Sequence, residues 1–163
     1  MENYLMLNGK RIDLTAEQIE TLMGKKVKDP FKRVKGGKYF YIDSDGKIEV
    51  EWDEMTELDN DRYLIGNYCT DRELMEQRAL HETLNRLLWR YSMQHGGGEI
   101  EWGNCNEDKY SIYANHVVGA YDVSAAQFCA GEGTIHFHTK QLANAAIEEI
   151  VKPFMEKHPE FRW

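Results

Sequence analysis

The chain has 163 residues, of which 42% are hydrophobic, 29% charged and 12% aromatic. That is ample apolar matter for one packed domain and too little length for two of ordinary size. Twenty Lys and Arg against 28 Asp and Glu leave a formal charge of −8, a field of the wrong sign for direct attraction to nucleic acid or an anionic membrane. No apolar run nears the ~20 residues that span a bilayer, and no basic-then-apolar leader opens the chain. Cys69, Cys105 and Cys129 form no CxxC pair, so the expected setting is a reducing cytoplasm.

In chain order, Tyr4–Leu7 and a run through Ile12 read as short strands about an Asn8-Gly9 turn. Thr15 and Gln18 have the spacing of a capping box, opening a helix whose apolar stripe is Ile19, Leu22 and Met23 and whose stop is Gly24. A basic linker follows, with Lys25, Lys26, Lys28, Lys32, Arg33, Lys35 and Lys38; its plainest reading is a solvated loop. From Lys38 the period changes to two: Tyr39, Phe40 and Tyr41 precede Ser44-Asp45-Gly46, and Ile48, Val50 and Trp52 follow it. An Asp-Gly turn between alternating runs predicts a β-hairpin. A polar loop over 53–61 and a strand over Tyr63–Tyr68 are expected next.

The strongest helical pattern starts at Thr70, with Glu73 at capping-box spacing and Leu74, Leu80, Leu84, Leu87, Leu88 and Tyr91 on one face. Gly96-Gly97-Gly98 stops it near His95, after about 24 residues. Strands are predicted over Tyr110–Asn115, Val117–Val123 and Gly133–His138. A last helix runs from Thr139 through Phe154, with a kink or a change of helical geometry expected at Pro153.

The halves resemble one another. Lys38 to Thr70 and Lys109 to Thr139 each read as strands followed by a capped helix, with an aromatic (Tyr68 or Phe137) two residues before the Thr. The expected architecture is α+β: an antiparallel sheet with two long helices on one face, built as a single domain over 1–163. Within it lie a strand-helix head with the basic linker over 1–37, a first sheet-helix unit over 38–97 and a second over 98–163.

Three groups of residues could carry chemistry. His136 and His138 alternate in a strand, so their imidazoles share a face, with Cα atoms ~7 Å apart; the repeat places Cys69 where the second histidine stands. Zinc could sit there, structurally or in a metal-dependent nuclease, although the plain reading is a half-exposed strand face and no cofactor is required. The second group is acidic. Over 41–64 there are nine Asp and Glu and only two cations, and Glu49, Glu51 and Asp53 fall at alternate strand positions ~6.8 Å apart. With Glu54, Glu57, Asp59 and Asp61 they form a row able to occupy a cationic, nucleic-acid-binding groove on a partner; the plain alternative is a solvated face that guards a sheet edge. The third is the thiol of Cys69, next to the expected helix start, which more simply is a small core residue. No GxSxG elbow and no phosphate-cradling glycine loop occurs, because the glycine run lies at a helix end.

The segments GNYCTDRELMEQRALHETLNRLLWRYSMQHGG and IEEIVKPFMEKHPEFRW, together with LNGKRIDLT and KYFYID, resemble a group of small prophage proteins of Gram-positive gut bacteria. The resemblance implies a phage accessory protein in the bacterial host cytoplasm. It also implies a host-defence inhibitor of anti-CRISPR type whose partner is a bacterial defence protein such as a CRISPR–Cas effector nuclease. It supplies no catalytic residue or cofactor. The expected function is therefore non-enzymatic, with a sponge for a nucleotide signal as the alternative from another class.

Overall fold

A computed structural model describes residues 4–7, 10–15, 18, 29–127 and 133–163. The Asn8-Gly9 turn, the helix stripe over Ile19–Gly24, the lysines at 25, 26 and 28, and Cys129 lie outside them. The fold is α+β with antiparallel sheets.

Strands β1 (Tyr4–Leu7) and β2 (Lys10–Asp13) pair in register, Tyr4 opposite Asp13. The expected capping box closes behind them: the Gln18 N–H donates to Thr15 Oγ1 at 3.2 Å, and the Thr15 N–H donates to Gln18 Oε1 at 2.9 Å. The predicted hairpin is β3 (Lys38–Ile42) and β4 (Ile48–Trp52), with Lys38 opposite Trp52 and Ile42 opposite Ile48. Asp43 ties the turn, its Oδ1 accepting from the Asp45 and Lys47 N–H groups, and Gly46 takes the left-handed conformation there at φ 81.

Of the predicted loop over 53–61 and strand over Tyr63–Tyr68, residues 57–64 are instead a helix, α1 (Glu57–Leu64), and 65–68 form no strand. Thr56 caps it and Asp59 returns the bond, a box that wins over the aromatic, strand-like look of Tyr63–Tyr68. The strand-like pairing falls one residue beyond that prediction, at Cys69, whose backbone exchanges both hydrogen bonds with Phe40, at 2.7 and 3.0 Å.

Helix α2 (Arg72–Gln94) is 23 residues long. Its cap is Asp71, not Thr70: Asp71 Oδ1 accepts from the Leu74 N–H, while the Thr70 hydroxyl and N–H both donate to the Pro30 carbonyl. Gly96 ends it at φ 85, and a Cβ on Gly97 would stand 2.0 Å from Ser92 Oγ, so only glycine lets the chain turn back so closely. A 3-10 turn (Gly97–Glu99) follows.

In the second unit β5 (Lys109–Asn115) lies between β6 (Ala120–Ala126) and the two-residue β7 (His136–Phe137). β6 begins three residues later than the pattern suggested. Thr139 caps α3 (Lys140–Ala146) through the Leu142 N–H. The helix then widens into a π-turn (Ile147–Val151) and resumes as α4 (Lys152–Lys157). The widening falls just before Pro153, whose ring crowds the preceding turn and whose missing N–H leaves a carbonyl to be served otherwise.

The single sheet expected from the sequence is not formed: among the described residues β3–β4 and β6–β5–β7 are separate sheets. Helix α2 is the common spine. Its first half packs Met75 and Ala79 against Ile42 and Cys69. Its second half packs Leu84, Leu88 and Tyr91 against Phe137, Ala143, Ala146, Val151, Phe154 and Phe161. Both units nevertheless have a hairpin whose first strand pairs with the residues just before a capped helix, the single residue Cys69 in the first unit and β7 in the second, although α1 intervenes only in the first.

Candidate partner-binding surface

Strand β4 carries the acidic row. Glu51 stands opposite Tyr39 and Glu49 opposite Tyr41, so the two carboxylates share the face of those tyrosines, and both are exposed. Neither forms a side-chain ion pair among the described residues; Glu51 Oε1 only accepts from the Trp52 N–H, at 3.2 Å. Glu54, Glu57 and Asp61 are likewise exposed.

Asp53 and Asp59 do not belong to this surface. The ladder runs one pair past β4, the Asp53 N–H donating to the Gly37 carbonyl and its carbonyl accepting from Gly36. Asp53 therefore keeps the face that alternation assigns it, but that end of the face is roofed over and Asp53 is fully buried. Arg33 clamps it in a bidentate pair, Nε to Oδ2 at 2.7 Å and Nη2 to Oδ1 at 2.6 Å. The basic linker thus supplies an internal counter-ion where the sequence suggested a solvated lysine-rich loop. The Tyr68 hydroxyl adds a bond to Asp53 Oδ2 at 3.1 Å. Tyr68 stacks on Tyr39, with centroids 4.3 Å apart. The Tyr39 hydroxyl donates to buried Asp59 at 2.7 Å and accepts from Arg62, and the Arg62 guanidinium lies 3.6 Å from the Tyr41 ring centroid. The result is one connected network on the glutamate face of the hairpin, Arg33–Asp53–Tyr68–Tyr39, with Asp59 and Arg62 both bonded to the Tyr39 hydroxyl. No buried side-chain polar atom among the described residues lacks a partner.

The network sets the ionisation of its members. The Arg33 hydrogen bonds, against the cost of burial, hold the Asp53 carboxyl below the usual carboxylate range. Burial pushes Asp59 the other way, but bonds from Tyr39 and Thr56 outweigh it and its pKa is also lowered. Burial pushes Tyr39 and Tyr68 up to about 12. All four stay in their resting states across the physiological range.

Next to the network the backbone is strained. Met55, exposed, sits at φ 61, the one left-handed non-glycine among the described residues, with its N–H on Asp53 Oδ1 at 3.0 Å. For a side chain with a Cβ this conformation costs about 1–2 kcal/mol. Met55→Gly is expected to raise stability by about 0.5–1 kcal/mol, part of the relief being offset by the freer unfolded chain. A thermal melt showing a loss would mean that the Met55 side chain packs productively.

The histidines are occupied elsewhere. His136 Nδ1 donates to the Thr134 carbonyl at 3.0 Å, its ring meets Trp102 edge-on at 4.7 Å, and burial lowers its pKa, keeping it neutral. His138 Nε2 donates to the Gly96 carbonyl at 2.5 Å. Cys69 is buried in the other unit, its pKa raised by burial. Among the described residues no group of three or more His, Cys, Asp or Glu is placed to hold a metal ion, and His136, His138 and Cys69 are not brought together as one. A buried Lys109, unremarked in the sequence, clamps the 104–107 loop by donating to the Asn104 and Glu107 carbonyls.

A nucleotide pocket would need cations converging on aromatics. The cleft that comes nearest, about 420 Å³, is lined by Tyr121, Trp163, His116 and Met155 and has Arg162 as its one Lys or Arg among the described residues. Another, about 230 Å³ between Asn85, Phe137 and Trp163, has none. No helix among the described residues is long and apolar enough to cross a membrane. Comparison with protein-family models, with curated proteins and with solved structures gives no match.

Proposed function

We propose that the protein is a non-enzymatic binding protein whose β4 surface occupies a cationic nucleic-acid-binding or regulatory surface of a larger protein, and that this partner is a bacterial defence nuclease such as a CRISPR–Cas effector. One observation carries the reading. Glu49 and Glu51 project side by side from a strand, exposed and in no ion pair among the described residues, on a hairpin whose same face is held at one end by the Arg33–Asp53–Tyr68–Tyr39–Asp59 network. Bracing matters because a pre-ordered surface loses little conformational entropy on binding. The unpaired charges steer association toward a basic surface and make it salt-sensitive. The prophage resemblance supplies the class of partner and the bacterial cytoplasm as the setting.

The test is inhibition of DNA cleavage by a panel of purified CRISPR–Cas effector nucleases, with and without the double variant Glu49→Lys/Glu51→Lys. Like charges forced together at an interface cost several kcal/mol, so inhibition is expected to weaken ~100-fold or more. The circular dichroism spectrum should stay unchanged, since both side chains are exposed. Equal inhibition by the variant, or none by the parent protein across the panel, would sink the reading.

A further inference from the structure

We infer that β4 is an open docking edge that binds its partner by strand addition, and that the strand it accepts alternates basic and apolar residues. The inference rests on the partner-binding reading above and specifies its mode.

Backbone directions on the hairpin follow from bonds on its far side. Phe40 spends both backbone groups on Cys69, and Ile42 spends both on the Asn67 side chain, N–H to Oδ1 at 2.8 Å and carbonyl from Nδ2 at 2.7 Å. Phe40 and Ile42 therefore point away from β4. Their cross-strand partners, Val50 and Ile48, sit in the non-hydrogen-bonded positions of the ladder, with their own N–H and C=O groups directed away from β3. Asp53, by contrast, exchanges both groups with Gly36 and Gly37, which confirms the alternation. No strand among the described residues pairs with that outer side of β4. Val50 and Trp52 remain 40% and 54% exposed.

Such an edge is a template for another strand. Its side chains say which strand. On one face it offers Glu49 and Glu51; on the other it offers Ile48, Val50 and Trp52. A second copy of the chain fits badly: antiparallel self-pairing about Val50 would set Glu49 of each copy opposite Glu51 of the other, like charges directly across a ladder. A strand with Lys or Arg at alternate positions and aliphatic residues between them places a cation opposite each carboxylate and apolar surface against Val50 and Trp52. The two glutamates thus exclude self-association and select a basic partner strand with the same atoms.

The probe is a short synthetic peptide of alternating lysine and valine, with a control of equal composition arranged as one lysine block and one valine block. Amide hydrogen exchange of the parent protein, followed by NMR, is expected to slow at least tenfold at Ile48 and Val50 with the alternating peptide and not with the block peptide. Val50→Pro removes an N–H that β3 does not use, so the hairpin ladder survives while peptide binding falls at least tenfold. Glu49→Lys/Glu51→Lys is expected to lose the lysine peptide and to gain an alternating glutamate–valine peptide. Binding without protection at Ile48 and Val50, binding undiminished in Val50→Pro, or no binding of the alternating peptide would each overturn strand addition. Concentration-dependent protection without any peptide would overturn it in favour of a second copy. Should Val50→Pro fail to fold, the exchange data on the parent protein decide alone. The nuclease assay with the glutamate variants reports separately on the functional reading, which survives if charge matters and the edge does not.

Discussion

Replacing Asp53 by alanine is expected to destabilise the protein by about 3–5 kcal/mol, the usual cost of removing one partner from a buried ion pair. The loss has identifiable parts. Arg33, with only 17% of its side chain exposed, is left without the carboxylate it grips through two bonds. The Tyr68 hydroxyl and the Met55 N–H lose their acceptor at the same time. Natural domains are stable by only about 5–15 kcal/mol, so the variant should show a much lower urea midpoint. A shift worth under 1 kcal/mol would mean that water enters and solvates Arg33, and that the network does not brace the hairpin. The same groups predict the pH profile. Asp53 and Asp59 titrate below their ordinary value when folded, so the stability they bring is full above about pH 4 and drains as pH falls through the folded values. Tyr39 and Tyr68 are shifted the other way, to about 12. Their contribution is full below about pH 10, where unfolded tyrosines begin to ionise, and is lost as pH climbs toward 12. Stability against pH should therefore be a broad plateau with an acid limb and an alkaline limb. Tyrosinate absorbance should lag in the folded protein, and Tyr39 or Tyr68 titrating normally would contradict the burial argument.

Phe137→Ala is expected to cost a further independent 3–5 kcal/mol or so, the range for deleting a buried aromatic ring. Phe137 is 1% exposed and lies in the cluster formed by α2, α3 and the π-turn, its ring edge-on to Tyr91 at 6.5 Å. Its removal leaves a hole between the spine helix and the second sheet that backbone-anchored neighbours cannot close. Trp52→Ala, in contrast, removes a larger but half-exposed side chain and should change stability little. Denaturant melts of the two variants make the comparison; equal costs would place Trp52 in the core, contrary to its exposure. Because Phe137 and Asp53 serve different halves of the spine, their effects should add.

Several features could be read from the chain because they rest on local physics. The hairpin follows from alternation and the Asp43–Gly46 turn, and the long helix follows from its stripe and its glycine stop. Placing Asp53 on the face of Glu49 and Glu51 was equally legible, since side chains alternate for as long as the ladder lasts. The same local rules misjudged 57–64, where Tyr63 and the apolar residues after it look like a strand. Helix α1 forms because Thr56 and Asp59 cap it and Arg62 on it closes onto Tyr39 and Tyr41, contacts with residues some twenty positions away. Thr70 lost its cap role to Asp71 for a similar reason: its hydroxyl is engaged by Pro30, forty positions back.

By itself, then, the amino-acid order determined the α+β class, the hairpin, the spine helix and the position of the acidic row, because hydrophobic period, caps and turn residues act over a few neighbours. Only the tertiary structure decided which carboxylates are buried and which face outward, that the strands form separate sheets, and that no described strand covers the outer edge of β4. Those outcomes depend on what roofs each surface: Arg33 and Tyr68 over Asp53, Cys69 and Asn67 along the inner side of β3, and nothing among the described strands along the outer side of β4. Burial and backbone pairing are properties of such distant neighbours, and no spacing rule along the chain encodes them.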